Sequence, residues 1–270
     1  TGALPASVMT PTGRQLPARD PARFEQTLNG NGKQTIEDYG GTLLIDAEIG
    51  AGTLKSITAV RKFGVNQVDL DPDFSGADLF RYNESFSSRF ISQELVYNTK
   101  IPAVNAEAVF GLFFSDEKLT MGRSLPWGNQ AQFYWDAVFA QLGVAPGTAN
   151  AAPGTWTSER MGGSAKSYAG FAHLDFAIGD KLNVITGLRY SVEKKRGFFN
   201  NSFYRANPFD VFTLLGIAPA PAYDETSTNK ALSGTVGIQY RPVDDVMLYA
   251  TYNRGFKAGG VNMDVNAAGT

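Results

Sequence analysis

From Leu182 to Glu193 the chain reads L-N-V-I-T-G-L-R-Y-S-V-E. Every second residue (Leu182, Val184, Thr186, Leu188, Tyr190, Val192) can face hydrocarbon, while Asn183, Ile185, Gly187, Arg189, Ser191 and Glu193 between them are mostly polar or small. Alternation of period 2 marks a strand lying between two different environments. The run is about as long as a membrane-crossing strand must be, ~9–11 residues when tilted, and longer than the common strand of a soluble sheet.

The same signature recurs in hairpins, giving eight strands. Leu43, Ile45, Ala47 and Ile49 alternate with Leu44, Asp46 and Glu48, and Gly50-Ala51-Gly52 turns the chain into a strand from Thr53 to Phe63. A weaker pair, from Phe86 to Thr99 and from Ala106 to Glu117, surrounds a turn containing Pro102; its alternation is broken by the adjacent Phe113 and Phe114. Tyr168, Gly170, Ala172, Leu174 and Phe176 oppose Ala169, Phe171, His173 and Asp175, and Gly179-Asp180 then turns into the strand from Leu182. Leu232, Gly234, Val236, Ile238 and Tyr240 alternate with Ser233, Thr235, Gly237, Gln239 and Arg241 before Pro242-Val243-Asp244-Asp245 leads to Val246, Leu248, Ala250 and Tyr252.

Turns inside these hairpins are short, whereas residues 64–85, 118–166 and 194–230 lie between them and 1–37 precede them. Connections this long argue against a compact soluble domain. They are expected on the outer face of an outer-membrane barrel, whose periplasmic turns are tight. The pattern predicts an all-β fold: an antiparallel transmembrane β-barrel segment of about eight strands, with short periplasmic turns and long extracellular loops carrying short helices. Three such helices are expected. Asp20 caps one, with Pro21 at its first position and Asn29-Gly30 at its end; Asn207-Pro208 opens another that stops at Gly216; Trp135, Val138, Phe139 and Leu142 form the apolar stripe of a third, ending at Gly143. Packing of the loops is the commoner role for such helices, ahead of direct ligand contact. Tyr168, Tyr190, Tyr240, Tyr252 and Phe256 fall towards strand ends, where aromatic girdles form; plain β-propensity is the competing explanation.

Charge and composition remove several partners. Twenty-four basic against 26 acidic residues give a net charge of -2 and a pI near 5.5, so no general attraction to a phosphate backbone exists and nucleic acid is not an expected partner. A mean hydropathy of -0.18 with 43% hydrophobic residues, and no run of 18 apolar residues, exclude a bundle of membrane helices. There is no cysteine, hence no disulfide or thiolate chemistry, and no signal-peptide pattern follows Thr1.

Candidate chemistry is sparse. His173 is the single histidine and lies on the polar face of its strand, which favours a lumen-facing or satisfied side chain over a metal cluster or a catalytic triad. Asp71/Asp73 and Asp224/Glu225 read as solvated loop charge more readily than as calcium ligands or an acid-base pair. Gly255-Phe-Lys-Ala-Gly-Gly260 lacks the spacing and the following helix of a phosphate loop. Arg189, Arg241 and Arg254 are expected on polar faces, lining the lumen or pairing across strands. No catalytic, metal or cofactor-binding residue is expected, and no enzyme.

The stretch from Val246, V-M-L-Y-A-T-Y-N-R-G-F-K-A-G-G-V-N, to Asn262 resembles a barrel segment common in TonB-dependent outer-membrane receptors, in which a strand ends in such a run and enters an external loop. Ser92-Gln-Glu-Leu95, Gly111-Leu-Phe-Phe114, and Tyr168-Ala-Gly-Phe171 through Gly187-Leu-Arg-Tyr190 to Lys194 look like the same family, in the family's order. The resemblance implies a 22-stranded barrel filled by an N-terminal plug. Neither plug nor TonB box is recognisable, and Asn266 to Thr270 lack a terminal aromatic strand, so residues 1–270 are expected to be one internal part of such a barrel domain without the plug or the barrel C-terminus. Open sheet edges in lipid need neighbours, and eight strands closing alone would have oversized loops and a solid interior.

The resemblance implies an outer-membrane receptor of a Gram-negative bacterium that takes up a scarce solute, such as a ferric siderophore, by TonB-coupled transport. Its implied partners are outer-membrane lipid, its own plug, a small-molecule solute, and TonB with ExbB and ExbD. A passive porin-like or adhesin barrel is the alternative. The substrate-contact candidates are aromatic residues of the external loops: Tyr134, Trp135 and Trp156.

Overall fold

The computed structural model describes residues 28–72, 76–153, 156–203, 211 and 221–261. They form one antiparallel eight-stranded sheet in which each strand pairs with the next. The strands are β1 (Lys33–Ile49), β2 (Gly52–Leu70), β3 (Tyr82–Ile101), β4 (Ala106–Pro126), β5 (Trp156–Ile178), β6 (Leu182–Phe203), β7 (Tyr223–Val243) and β8 (Val246–Arg254). Among the described residues β1 and β8 do not pair with each other, so the sheet is an open arc, a partial barrel. No described helix is long and apolar enough to cross a membrane.

All the short turns lie at one end of the sheet. Two of them place glycine where φ is positive, Gly50 at +60° and Gly179 at +62°, a region that residues with a Cβ avoid. The β3–β4 turn is a 3-10 turn, Pro102–Val104, closed by Asn105 in the left-handed conformation. Successive turns are staggered. Thr99 of β3, two residues short of Ile101, lies in line with Gly52, which opens β2, and Phe176 of β5, two residues short of Ile178, lies in line with Ala106, which opens β4. A shift of two residues per hairpin is the stagger that tilted barrel strands require.

The register also sorts the side chains by face. Leu188 of β6 is in line with Ala172, Phe110, Tyr97 and Leu54, whereas Arg189 is in line with Phe171, Gly111, Val96 and Lys55. On β3 and β7 the first set of positions is largely exposed and the second largely half-covered, as on a sheet that curves towards the second. The convex face therefore carries the apolar set, with Leu95, Leu112, Leu188, Leu232, Val236 and Ile238 exposed. From Leu182 to Val192 this band spans 11 residues of β6, the length that crosses hydrocarbon when tilted.

The strands run well beyond the sequence prediction at the loop end. Pairing continues to Leu70, Pro126 and Phe203, so the gaps between hairpins shrink from 64–85, 118–166 and 194–230 to 71–81, 127–155 and 204–222. Beyond the apolar band neither face meets hydrocarbon, the contrast that creates period 2 disappears, and the sequence there reads as loop although its backbone stays paired. Of the three expected helices, the one containing Trp135 is α1 (Ala131–Ala140), closed near Gly143 at φ +77°. The Asp20 and Asn207 helices fall outside the described residues. Arg254 corrects one expectation: it pairs with Gly234 and so shares the convex face with Leu188, not the polar face.

Candidate functional site

The loop end of the concave face is the best-furnished part of the molecule. In register there, Val65, Phe86, Met121, Met161, Phe199 and Tyr223 form a row of aromatic, sulfur and aliphatic side chains across β2 to β7. Phe199 is buried and stacks on Tyr223 with ring centres 6.0 Å apart, and Phe63 meets Phe86 edge to face at 5.8 Å. One row nearer the loops, Gln67, Glu84, Arg123 and Glu159 are in line. The Arg123 Nε donates to Glu159 at 2.7 Å, and the Tyr82 hydroxyl donates to Glu84. A surface with an apolar floor and a charged rim binds an amphipathic solute through both.

Halfway down the same face, the Arg189 guanidinium lies 5.5 Å from the centre of the Phe113 ring and 5.6 Å from that of Phe171. Phe171 lies across Gly111, where an added Cβ would come within 2.1 Å of the ring. The glycine thus makes room for the aromatic that carries the cation. His173 is also on this face, beside Gly187. Among the described residues no three His, Cys, Asp or Glu side chains come together to hold a metal.

After β8 the chain passes over this face. Val261 packs against Gly197, where a Cβ would lie 2.7 Å from the valine, and with Gly260 it faces a hollow lined by Leu119, Gly163 and Lys195. The G-F-K-A-G-G-V run therefore folds back over its own barrel wall. Asp224 has its carboxylate held by Arg196 across β6–β7.

Above the strands the loops interlock. Trp127, Ala131, Ala149, Ala151 and Val211 form a small core, flanked by Phe80, Leu125, Trp135 and Phe139. Gln132 of α1 donates to the Ala149 carbonyl at 2.8 Å and accepts from the Ala151 N–H at 2.8 Å. Asp78 joins the 71–81 connection to this core: its Oδ2 accepts from the Asn129 backbone and side chain at 3.0 Å each, and Arg81 pairs with its Oδ1 at 3.0 Å. A Cβ on Gly128 would lie 2.3 Å from the Asp78 carbonyl oxygen, so only glycine fits this crossing.

Burial pushes the Asp78 carboxyl up, but the Asn129 backbone N–H, Arg81 and the Asn129 amide outweigh it and hold the pKa below the ordinary 3.8. A lowered folded pKa contributes stability above the unfolded value, and that stability is lost as pH falls through the folded one. Amide protection at Gly128 to Gln130, followed by hydrogen exchange, is expected to hold at pH 5 and drop below pH ~3.8; in Asp78→Asn it should be weak throughout and lose this pH dependence. Unchanged protection in the variant would remove Asp78 from this role.

The candidates from sequence fall as follows. Tyr134 and Trp135 both lie on α1; Trp135 stacks on Phe139 at 5.6 Å and meets Trp127 edge to face at 6.3 Å, while the half-buried Tyr134 meets Trp135 edge to face at 5.2 Å. Trp156 opens β5 opposite Pro126. The Arg123–Glu159 pair and Asp78 went unmarked in the sequence because their partners lie 36 and 51 residues away, without any local motif.

The fold is similar to solved structures. The ferric yersiniabactin uptake receptor FyuA from Yersinia pestis superposes with a TM-score of 0.61 at 16% identity, over 88% of this chain and 31% of that one. The siderophore receptor PiuA from Acinetobacter baumannii does so with a TM-score of 0.51 at 14% identity, over 83% of this chain and 32% of that one. This chain thus spans about a third of either receptor. No curated protein sequence matches it. The family model described as TonB dependent receptor-like, beta-barrel matches residues 8–269, and the chain belongs to that family.

Proposed function

We propose that this chain is barrel wall and loop cap of a Gram-negative outer-membrane receptor that takes up a scarce solute of the ferric siderophore class by TonB-coupled transport. The observation that carries the reading is the interlocked loop cap above an apolar, charge-rimmed concave mouth, in a chain of this family. Receptors named for siderophores share the fold. On this reading the turn end is periplasmic and the loop end extracellular. The solute meets loop aromatics, with Tyr134, Trp135 and Trp156 as first contacts, before reaching the row around Met121 and Phe199. The receptor's plug lies beneath, and TonB with ExbB and ExbD supplies the energy. The chain itself does no covalent chemistry.

The test is uptake of iron-55 presented on a panel of siderophores to iron-starved cells that depend on the intact receptor, with and without TonB. Uptake that vanishes without TonB supports the proposal, whereas uptake indifferent to TonB would make the protein a passive barrel. Tyr134→Ala is the better site probe, because Trp135 also holds the loop core together. It is expected to weaken solute binding about tenfold, in the range for a single buried aromatic contact, with the amount of surface receptor unchanged. Wild-type affinity in this variant would take Tyr134 out of the site.

A further inference from the structure

The convex face carries a belt of positive charge at one height. Arg89 lies twelve residues before the end of β3, Lys118 twelve after the start of β4, Lys166 twelve before the end of β5 and Lys194 twelve after the start of β6. Lys230 lies thirteen before the end of β7, past the irregularity between Tyr240 and Val243. Because the turns are themselves staggered, equal distance from the turn means equal height on a tilted barrel. Twelve residues at ~3.3 Å each, tilted ~40°, reach ~30 Å, just above an apolar band ~25 Å tall.

Below the belt, convex positions of β3 and β5 to β7 carry no charge down to the turns. On β4 the single exception is Asp116, which pairs with Lys166 at 3.7 Å. On β3 to β7 the unpaired convex charge is therefore confined to the loop side, and Arg254 of β8 is the one convex base nearer the turns. The belt is also unbalanced. Arg89 lies directly opposite both Lys62 and Lys118, and Lys166 directly opposite Lys194. Like charges in such pairs repel and destabilise a sheet. Nearby acids relieve only Lys166, which Asp116 reaches at 3.7 Å; Asp224 is taken by Arg196, and Glu37 flanks only the β2 end. Among the described residues Arg89, Lys118, Lys194 and Lys230 are exposed, and their side chains make no hydrogen bond or ion pair. Just inside the belt, Phe114 and Tyr168 pair at 5.2 Å, at the level where rings meet lipid headgroups.

We infer that this belt is a binding surface for phosphate-bearing lipid headgroups of the leaflet on the loop side, and that these anions supply the countercharge which the sheet lacks. The inference rests on the proposed membrane orientation but not on the identity of the solute. On the turn side the convex positions of β3 to β7 carry no basic residue, so the belt also fixes which end of the barrel meets the anionic leaflet.

The test uses the intact receptor, extracted in mild detergent and titrated with bis-phosphorylated lipid A while bound lipid is counted by native mass spectrometry. Replacing Arg89, Lys118, Lys194 and Lys230 by Gln should weaken binding at least a hundredfold, at about fivefold per basic group near an anionic surface. Removing equal charge elsewhere (Lys55→Gln, Lys100→Gln, Lys181→Gln and Arg241→Gln) should leave binding unchanged, the charge-keeping set Arg89→Lys, Lys118→Arg, Lys194→Arg and Lys230→Arg should retain it, and dephosphorylated lipid A should bind neither form tightly. Should the fourfold variant fail to assemble, Lys118→Gln and Lys194→Gln singly are each expected to lose about fivefold. Equal binding by the Gln variants and wild type, equal loss in the control set, or equal binding of dephosphorylated lipid overturns the inference. Solute uptake in the same variants separates this outcome from failure of the transport reading, since the belt faces away from the lumen.

Discussion

Leu188→Arg is expected to block assembly of the intact receptor, whereas Arg189→Leu, one residue along the same strand, should assemble normally. Leu188 is 58% exposed on the convex face, amid Leu232 and Tyr190 and well below the basic belt. An arginine there must enter hydrocarbon, at ~2–4 kcal/mol near the bilayer midplane. That is a large part of the few kcal/mol by which folded proteins are stable. Arg189 is on the opposite face against the Phe113 and Phe171 rings and bonds to the Ser191 hydroxyl at 3.1 Å. Replacing it forfeits contacts worth ~0.5–1 kcal/mol each in a wet lumen, and leucine covers part of the same rings. Heat-modifiable migration of the two variants in gels separates the outcomes. Equal tolerance of both would mean that the register of β6 is reversed.

Most of the membrane-crossing part of this sheet is legible in the sequence, and the reason is solvent contrast. Between Leu182 and Val192 one face meets hydrocarbon and the other the lumen, so side-chain polarity must alternate. Above Lys194 the strand continues to Phe203 with hydrocarbon on neither face, and the alternation has no cause. The same holds for β4 beyond Glu117 and for β2 beyond Phe63. Turn positions were readable because Gly50 and Gly179 sit where φ is positive. The stripe of α1 was readable because Trp135 and Phe139 pack on one side. The site is another matter. Tyr134 and Trp135 stand out as loop aromatics, but Arg123 meets Glu159, and Asp78 meets Asn129, through sheet register and loop crossing. Contacts between distant segments leave no periodic trace. The basic belt is intermediate: each lysine is visible in the sequence, but their common height appears only when distance is counted from the turns.

The edges of the sheet give the remaining large expectation. Produced alone and refolded in detergent, the 270-residue chain should aggregate or associate edge to edge instead of forming a monomeric barrel. Seventeen residues of β1 pair on one side only, and β8, which is nine residues long, leaves β7 paired with β6 alone from Tyr223 to Ser233. Each unpaired N–H or C=O facing lipid costs several kcal/mol, and no water is available there to replace the bond. Closure of the eight strands on themselves would have to join β1 to a strand about half its length. It would also bring the concave side chains, among them Arg189, Phe113, Phe171 and His173, into a solid interior for which their mixture of charge and bulk is ill suited. Within a wider barrel the same residues line an open lumen and both edges find partners. Analytical ultracentrifugation of the refolded chain distinguishes the cases. A monodisperse, heat-modifiable, eight-stranded monomer would show that β1 and β8 satisfy each other, and would replace the wide barrel by a small closed one.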